Sequence, residues 1–155
     1  LYSISLINKQ KRISYTDRIN EVSPIQLASS NPYYIHGKIP SYEEALIYAI
    51  KQKDVRYLIA SLSLFRKISN WSLLYNIAKK ENLIAQIIAL YEVSRKVVKK
   101  VRKMPKRFIN LAKKRKSKHY SYIIKNISSD DFKDIEKKWR VYIPLNLADF
   151  EEYKR

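Results

Sequence analysis

The sequence predicts an α+β protein that is mainly α. It combines an N-terminal β hairpin, a core resembling a four-helix bundle, a basic helical extension and a small C-terminal strand-helix-strand-helix unit. Three observations carry this expectation. From Ser41 onward apolar residues recur at helical spacing behind capping residues, whereas the residues before it are β-branched, aromatic and broken by Pro24, Pro32 and Pro40. A hydrophobic content of 46% is enough for a core, and 155 residues make one domain with an appendage or two small ones. The chain therefore divides into short strands and loops over 1–40, a helical core over 41–103, a basic helical extension over 95–119 and an α/β appendage over 120–155 packed on the core.

In residues 1–40, Leu1 to Ile7 and Arg12 to Tyr15 flank the polar Asn8, Lys9, Gln10 and Lys11, the pattern of a hairpin. Ser41 with Glu44 three residues on forms a capping box ahead of Leu46, Ala49 and Ile50. Asp54 caps a second helix carrying Val55, Leu58, Ile59, Leu62 and Phe65 on one face. Asn70 caps a third, with Trp71, Leu74, Ile77 and Ala78 inward. Asn82 marks a break before a long fourth helix whose stripe runs through Ile84, Ile87, Ile88, Tyr91, Val98 and Val101. Short connections between helices make them fold back on one another and share a core.

Beyond Arg95 the fourth helix is expected to leave the core as a basic rod. Its i, i+4, i+7 positions there are Arg95, Lys99, Arg102 and Lys96, Lys100, Lys103. Pro105 interrupts it, and because proline suits a first helical position, Lys106 to Lys116 form a new helix with Phe108, Leu111 and Ala112 inward. In the appendage, Tyr120, Tyr122 and Ile124 alternate with Ser121, Ile123 and Lys125 as a strand. Ser128 or Ser129 caps a helix bearing Phe132, Ile135 and Trp139 on one stripe. Val141 to Ile143 form a second strand before Pro144, and Asn146 caps a terminal helix through Phe150 and Tyr153. A unit of 36 residues is too small to stand alone, so it packs on the core.

Charge carries the functional expectation. Between Arg95 and Lys118 stand thirteen basic residues and no acid: Arg95, Lys96, Lys99, Lys100, Arg102, Lys103, Lys106, Arg107, Lys113, Lys114, Arg115, Lys116 and Lys118. Like charges at this density repel unless a polyanion neutralises them, and a phosphate backbone does so by releasing its condensed counterions. The whole chain carries a net charge of +18 with a pI of about 10.0, more than an ordinary solubility surplus. The expected partner is nucleic acid, DNA or RNA. Beside the basic run, Tyr120 and Tyr122 are candidates for stacking on exposed bases, as are Tyr33 and Tyr34 in their loop. Tyrosines that alternate along a strand are more often half-buried packing residues; Trp71 and Trp139, at helical spacing, belong to the core. A solvated charged face is the bland alternative for the basic run itself.

Other classes are excluded or left without support. The absence of cysteine rules out disulfides, Cys-based zinc sites and thiol catalysis. Gly37 is the single glycine, so glycine-rich phosphate cradles and dinucleotide fingerprints are absent. His36 and His119 stand in no metal-ligand spacing. The pairs Glu43 and Glu44, and Asp130 and Asp131, are explained as compensating helix dipoles, and Glu151 and Glu152 as a solvated face. No catalytic constellation, metal or cofactor is expected, and the chain reads as non-enzymatic. Its apolar stretches are too short to span a membrane and nothing resembles a secretory signal, so a cytoplasmic location is expected. Richness in Ile, Lys and Tyr without Cys resembles hyperthermophile composition, although the low acid content departs from the usual ion-pair signature. The chain opens at Leu1, which fits a fragment or a processed product.

The stretches PSYEEALIYAI, KDVRYLIASL and NWSLLYNIAKKENLIAQIIALYE, preceded by strands, resemble the C-terminal region of AbiEi-type antitoxins, the transcriptional autoregulators of type IV toxin-antitoxin pairs, over residues 1 to 100. The resemblance implies a protein that joins an upstream winged-helix DNA reader, or another protein partner, to this strand-and-helix domain and represses its own operon. It supplies no site residue. Two functions follow as expectations. One is an antitoxin-like DNA-binding regulator whose basic rod tracks duplex phosphates; the other is a structural RNA-binding protein, such as a ribosome-associated subunit, that docks on rRNA through the same segment.

Overall fold

Short polar side chains start the helices of the N-terminal half in the computed structural model, which describes residues 13–28 and 39–154. Ser14 and Ser41 each form a capping box, with Asp17 and Glu44, opening α1 (Tyr15–Val22) and α2 (Tyr42–Lys51). Asp54 accepts hydrogen bonds from the N–H groups of Arg56 and Tyr57 at the start of α3 (Val55–Ser61), which runs on into a 3-10 turn, Leu62–Arg66. Asn70 accepts from the Leu73 N–H ahead of α4 (Trp71–Lys80). Asn82, left-handed at φ 59°, separates α4 from α5 (Ile84–Val97). The sequence predicts the caps at Ser41, Asp54 and Asn70, and the break at Asn82.

The N terminus departs from expectation. Tyr15, assigned to the second strand of a hairpin, instead opens α1, because the Ser14 and Asp17 side chains satisfy the helix's first N–H groups. Leu1 to Ile7, Arg12, the Pro32 loop, Tyr33, Tyr34 and His36 lie outside the described residues.

The fourth helix is corrected as well: α5 stops at Val97, and no basic rod extends from it. Val98 is extended, Lys100 turns left-handed at φ 61°, and the chain folds back so that Val98, Val101 and Met104 are buried. Continuing the helix would set Arg95 beside Lys99 and Lys96 beside Lys100, like-charge i,i+4 pairs that destabilise it, and would carry three apolar side chains into water. Four hydrogen bonds hold the return. Arg66 Nε donates to the Lys99 carbonyl at 2.8 Å and Arg95 Nη1 to the Val101 carbonyl at 3.2 Å. The Arg102 N–H donates to the Phe65 carbonyl at 3.3 Å, and the Met104 N–H to the Tyr91 hydroxyl at 2.9 Å.

Pro105 then precedes α6 (Lys106–Lys114), where Phe108 and Ala112 are buried. Leu111, expected inward, is 38% exposed. At about 100° per residue it falls on the opposite side of Phe108 from Ile109, and the partly buried Ile109 packs on the core.

In the C-terminal unit, β1 (Ser121–Tyr122) pairs in parallel with β2 (Val141–Tyr142), joined through α7 (Lys133–Trp139). These strands are shorter than expected; Tyr120, Ile124 and Ile143 fall outside them. Ser129 Oγ accepts from the Asp131 and Phe132 N–H groups just before α7, and Phe132, Ile135 and Trp139 are buried as one stripe. The final segment, Leu147–Lys154, is a 3-10 helix kinked at Phe150. Asn146 does not cap it through its side chain: its Oδ1 accepts from Ser129 Oγ and the Asp130 N–H. The unit shares one apolar core with the helices before it. Tyr153 fastens it by donating to the carbonyls of Ile59 and Ala60, and burial pushes its hydroxyl above the usual tyrosine range, so it stays protonated to donate. Among the described residues no helix is long and apolar enough to cross a membrane.

Candidate nucleic-acid interface

All thirteen basic residues from Arg95 to Lys118 are exposed. Three successive pieces of backbone present them: the last turn of α5, the folded-back loop, and α6 with the residues that follow it. The reason is local. The apolar residues between them, Val98, Val101, Met104, Phe108 and Ala112, are all drawn into the core, which leaves the cations outside.

Neutralisation within the chain is slight. Among the described residues Lys96 is the one member of the thirteen with a carboxylate partner, Asp134 Oδ2 at 2.9 Å. The Lys96 ammonium holds the Asp134 carboxyl below the usual carboxylate range, but both side chains are about half exposed or more, so solvent screens the pair. Arg95 is occupied by the Val101 carbonyl, and the Arg107 guanidinium lies 4.8 Å from the ring centroid of Phe108. Elsewhere, Lys51 pairs with Glu81, Lys138 with Glu92 and Lys154 with Glu151.

On α6 the pattern is sharpest. Lys106, Arg107, Lys113 and Lys114 each lie three or four residues from Asn110, so they surround it on the outer face. Asn110 is absent from the sequence-predicted set, although the i±3 and i±4 spacing would have found it. Its amide both donates and accepts, which the four cations around it cannot do. Lys113 and Lys114 suit the C-terminal end of the helix dipole. Lys106 and Arg107 do not suit its N-terminal end, which carries no acid and no side-chain cap. Helix stability therefore does not explain why cations stand there.

Arg115, Lys116 and Lys118 lead from α6 into the ribbon of β1 and β2, where Arg140 Nη1 donates to the Ser117 carbonyl at 2.7 Å. Tyr120 and Tyr122 are 43% and 42% exposed. Both stack on Tyr142, with ring centroids 4.9 Å and 4.5 Å apart, so the packing they make is with a third tyrosine on the outer side of the ribbon. Inward, the ribbon buries Ile123 and Val141. Tyr142 is the second residue that the sequence alone did not mark.

The carboxylates have structural work. Glu43 is buried and its Oε1 accepts from the Ser69 and Asn70 N–H groups, which is more specific than dipole compensation. Buried Glu136 accepts from the N–H groups of Ser129 and Ile143, and Asp131 from the Leu147 N–H. His119 is exposed, its N–H bonded to Ser117 Oγ. Among the described residues no group of three or more His, Cys, Asp or Glu side chains could hold a metal ion. No family model, curated protein or solved structure matches the chain.

Proposed function

We propose that this chain is a non-enzymatic nucleic-acid-binding protein, an antitoxin-like transcriptional regulator that holds the phosphates of duplex DNA through the Arg95–Lys118 surface. The observation that carries the binding is the exposure of thirteen cations, with a single carboxylate partner among the described residues. Such a surface lowers its own repulsion by taking up a polyanion and releasing that polyanion's counterions. Duplex is favoured by α6. It is a helix of nine residues, about 13 Å long, with cations along its outer face and Asn110 among them, dimensions that suit the edges of a DNA groove about 12 Å wide. The regulatory role rests on the AbiEi-like residue pattern. Binding is mostly to phosphate, so discrimination between sequences by this chain is weak.

Lysine-modification footprinting tests the surface directly. In the presence of duplex DNA, Lys99, Lys100, Lys103, Lys106, Lys113, Lys114, Lys116 and Lys118 become protected from acetylation, while Lys51 and Lys154, each facing a carboxylate, react as in the free protein. Uniform protection of all lysines, or none in the Arg95–Lys118 segment, contradicts the proposal.

A further inference from the structure

We infer that Tyr120, Tyr122 and Tyr142 form a stacking platform for unpaired bases of a nucleic-acid strand. The register of the ribbon places them there: Tyr122 stands opposite Tyr142 across the parallel pair, and Tyr120, two residues before Tyr122, points to the same side. Tyr142 is the shared partner, inclined 31° to Tyr120 and 25° to Tyr122. Each outer ring thus stacks by one face, and its other face has no aromatic partner among the described residues. The core does not need these rings, because the ribbon buries Val141, at 0% exposure, and Ile123, at 1%, on its inner side.

The occupant follows from charge and shape together. The platform begins two residues after Lys118, the end of the cationic surface, and Arg140 ties the two by its bond to the Ser117 carbonyl. No acid occurs between Glu92 and Asp130. A ligand with flat π faces at intervals along an anionic backbone matches both features, and only where bases are unpaired are those faces available. Stacking is sequence-tolerant, so the platform adds affinity for single-stranded or frayed segments without base preference. The inference rests on the nucleic-acid reading, since Lys118 and its neighbours supply the phosphate contacts.

The test uses the full chain with a fluorescent purine placed centrally in an oligothymidine, and a duplex of the same phosphate count. The parent quenches the purine in the single strand on binding. Tyr120→Leu with Tyr122→Leu weakens single-strand binding by about tenfold or more and abolishes the quench, with duplex affinity within about twofold of the parent. Tyr120→Phe with Tyr122→Phe keeps both the quench and the affinity, which guards against a variant that merely unfolds. Equal losses on both ligands, or unchanged single-strand binding by the Leu variant, overturn the platform while leaving the phosphate surface intact. A parent that binds neither ligand overturns the nucleic-acid reading itself.

Discussion

Replacing Lys106, Arg107, Lys113 and Lys114 by Gln weakens duplex binding by at least about 100-fold at low salt, without lowering the thermal unfolding temperature. At roughly 50 mM salt each phosphate contact contributes about a tenfold gain through counterion release, so two engaged residues of the four already produce that loss. Stability is unaffected for two reasons. All four side chains are exposed, away from Phe108 and Ala112, which anchor α6. Removing Lys106 and Arg107 relieves an unfavourable interaction with the helix N-terminus, and removing Lys113 and Lys114 forfeits a favourable one at the other end, so the two changes offset. Anisotropy titration beside a melting curve checks both halves. Parent-like affinity in the variant moves the binding surface off α6.

Phe65→Ala destabilises the fold by about 3–5 kcal/mol, a large share of the roughly 5–15 kcal/mol that holds a domain of this size. Phe65 is fully buried at the end of the 3-10 turn after α3, and its ring packs edge-on against Tyr91 at 5.8 Å. Tyr91 in turn meets Trp71 at 6.0 Å and accepts the Met104 N–H. The aromatic cluster therefore joins the helical core to the loop that displays Lys99 to Lys103, and a cavity there loosens both. Urea unfolding measures the loss; a cost below about 1 kcal/mol shows that the loop does not depend on this cluster.

The parts of the fold that sequence reveals are those with local causes. Ser41, Asp54 and Asn70 cap helices through their own side chains, and Phe132, Ile135 and Trp139 show their stripe at helical spacing; none of this needs tertiary knowledge. What sequence hides depends on distant partners. Val98 and Val101 continue the helical period of α5, yet the chain turns at Lys99 because the Phe65 carbonyl and the Tyr91 hydroxyl are waiting to accept N–H groups from the returning loop. Ser14 is followed by Asp17, a local capping signal, but the β-branched residues nearby outweigh it in a pattern-based reading. Asn146 sits where a cap is expected and is used across the chain by Ser129 and Asp130 instead. The candidate site shows the same division. Thirteen cations announce themselves by composition, whereas the role of Tyr142 appears only once β2 lies beside β1, twenty residues away from Tyr122.

The salt dependence of duplex affinity bears most directly on the central claim. With Lys96 held by Asp134 and about half of the other cations engaged, roughly six phosphates are contacted. The logarithm of the binding constant then falls against the logarithm of salt concentration with a slope near −5, at about −0.9 per contact. Four such contacts fewer, in the α6 variant, bring the slope to about −2. A parent slope between zero and about −1 contradicts the account, because the exposed cations would then be a solvated face that holds no phosphate backbone.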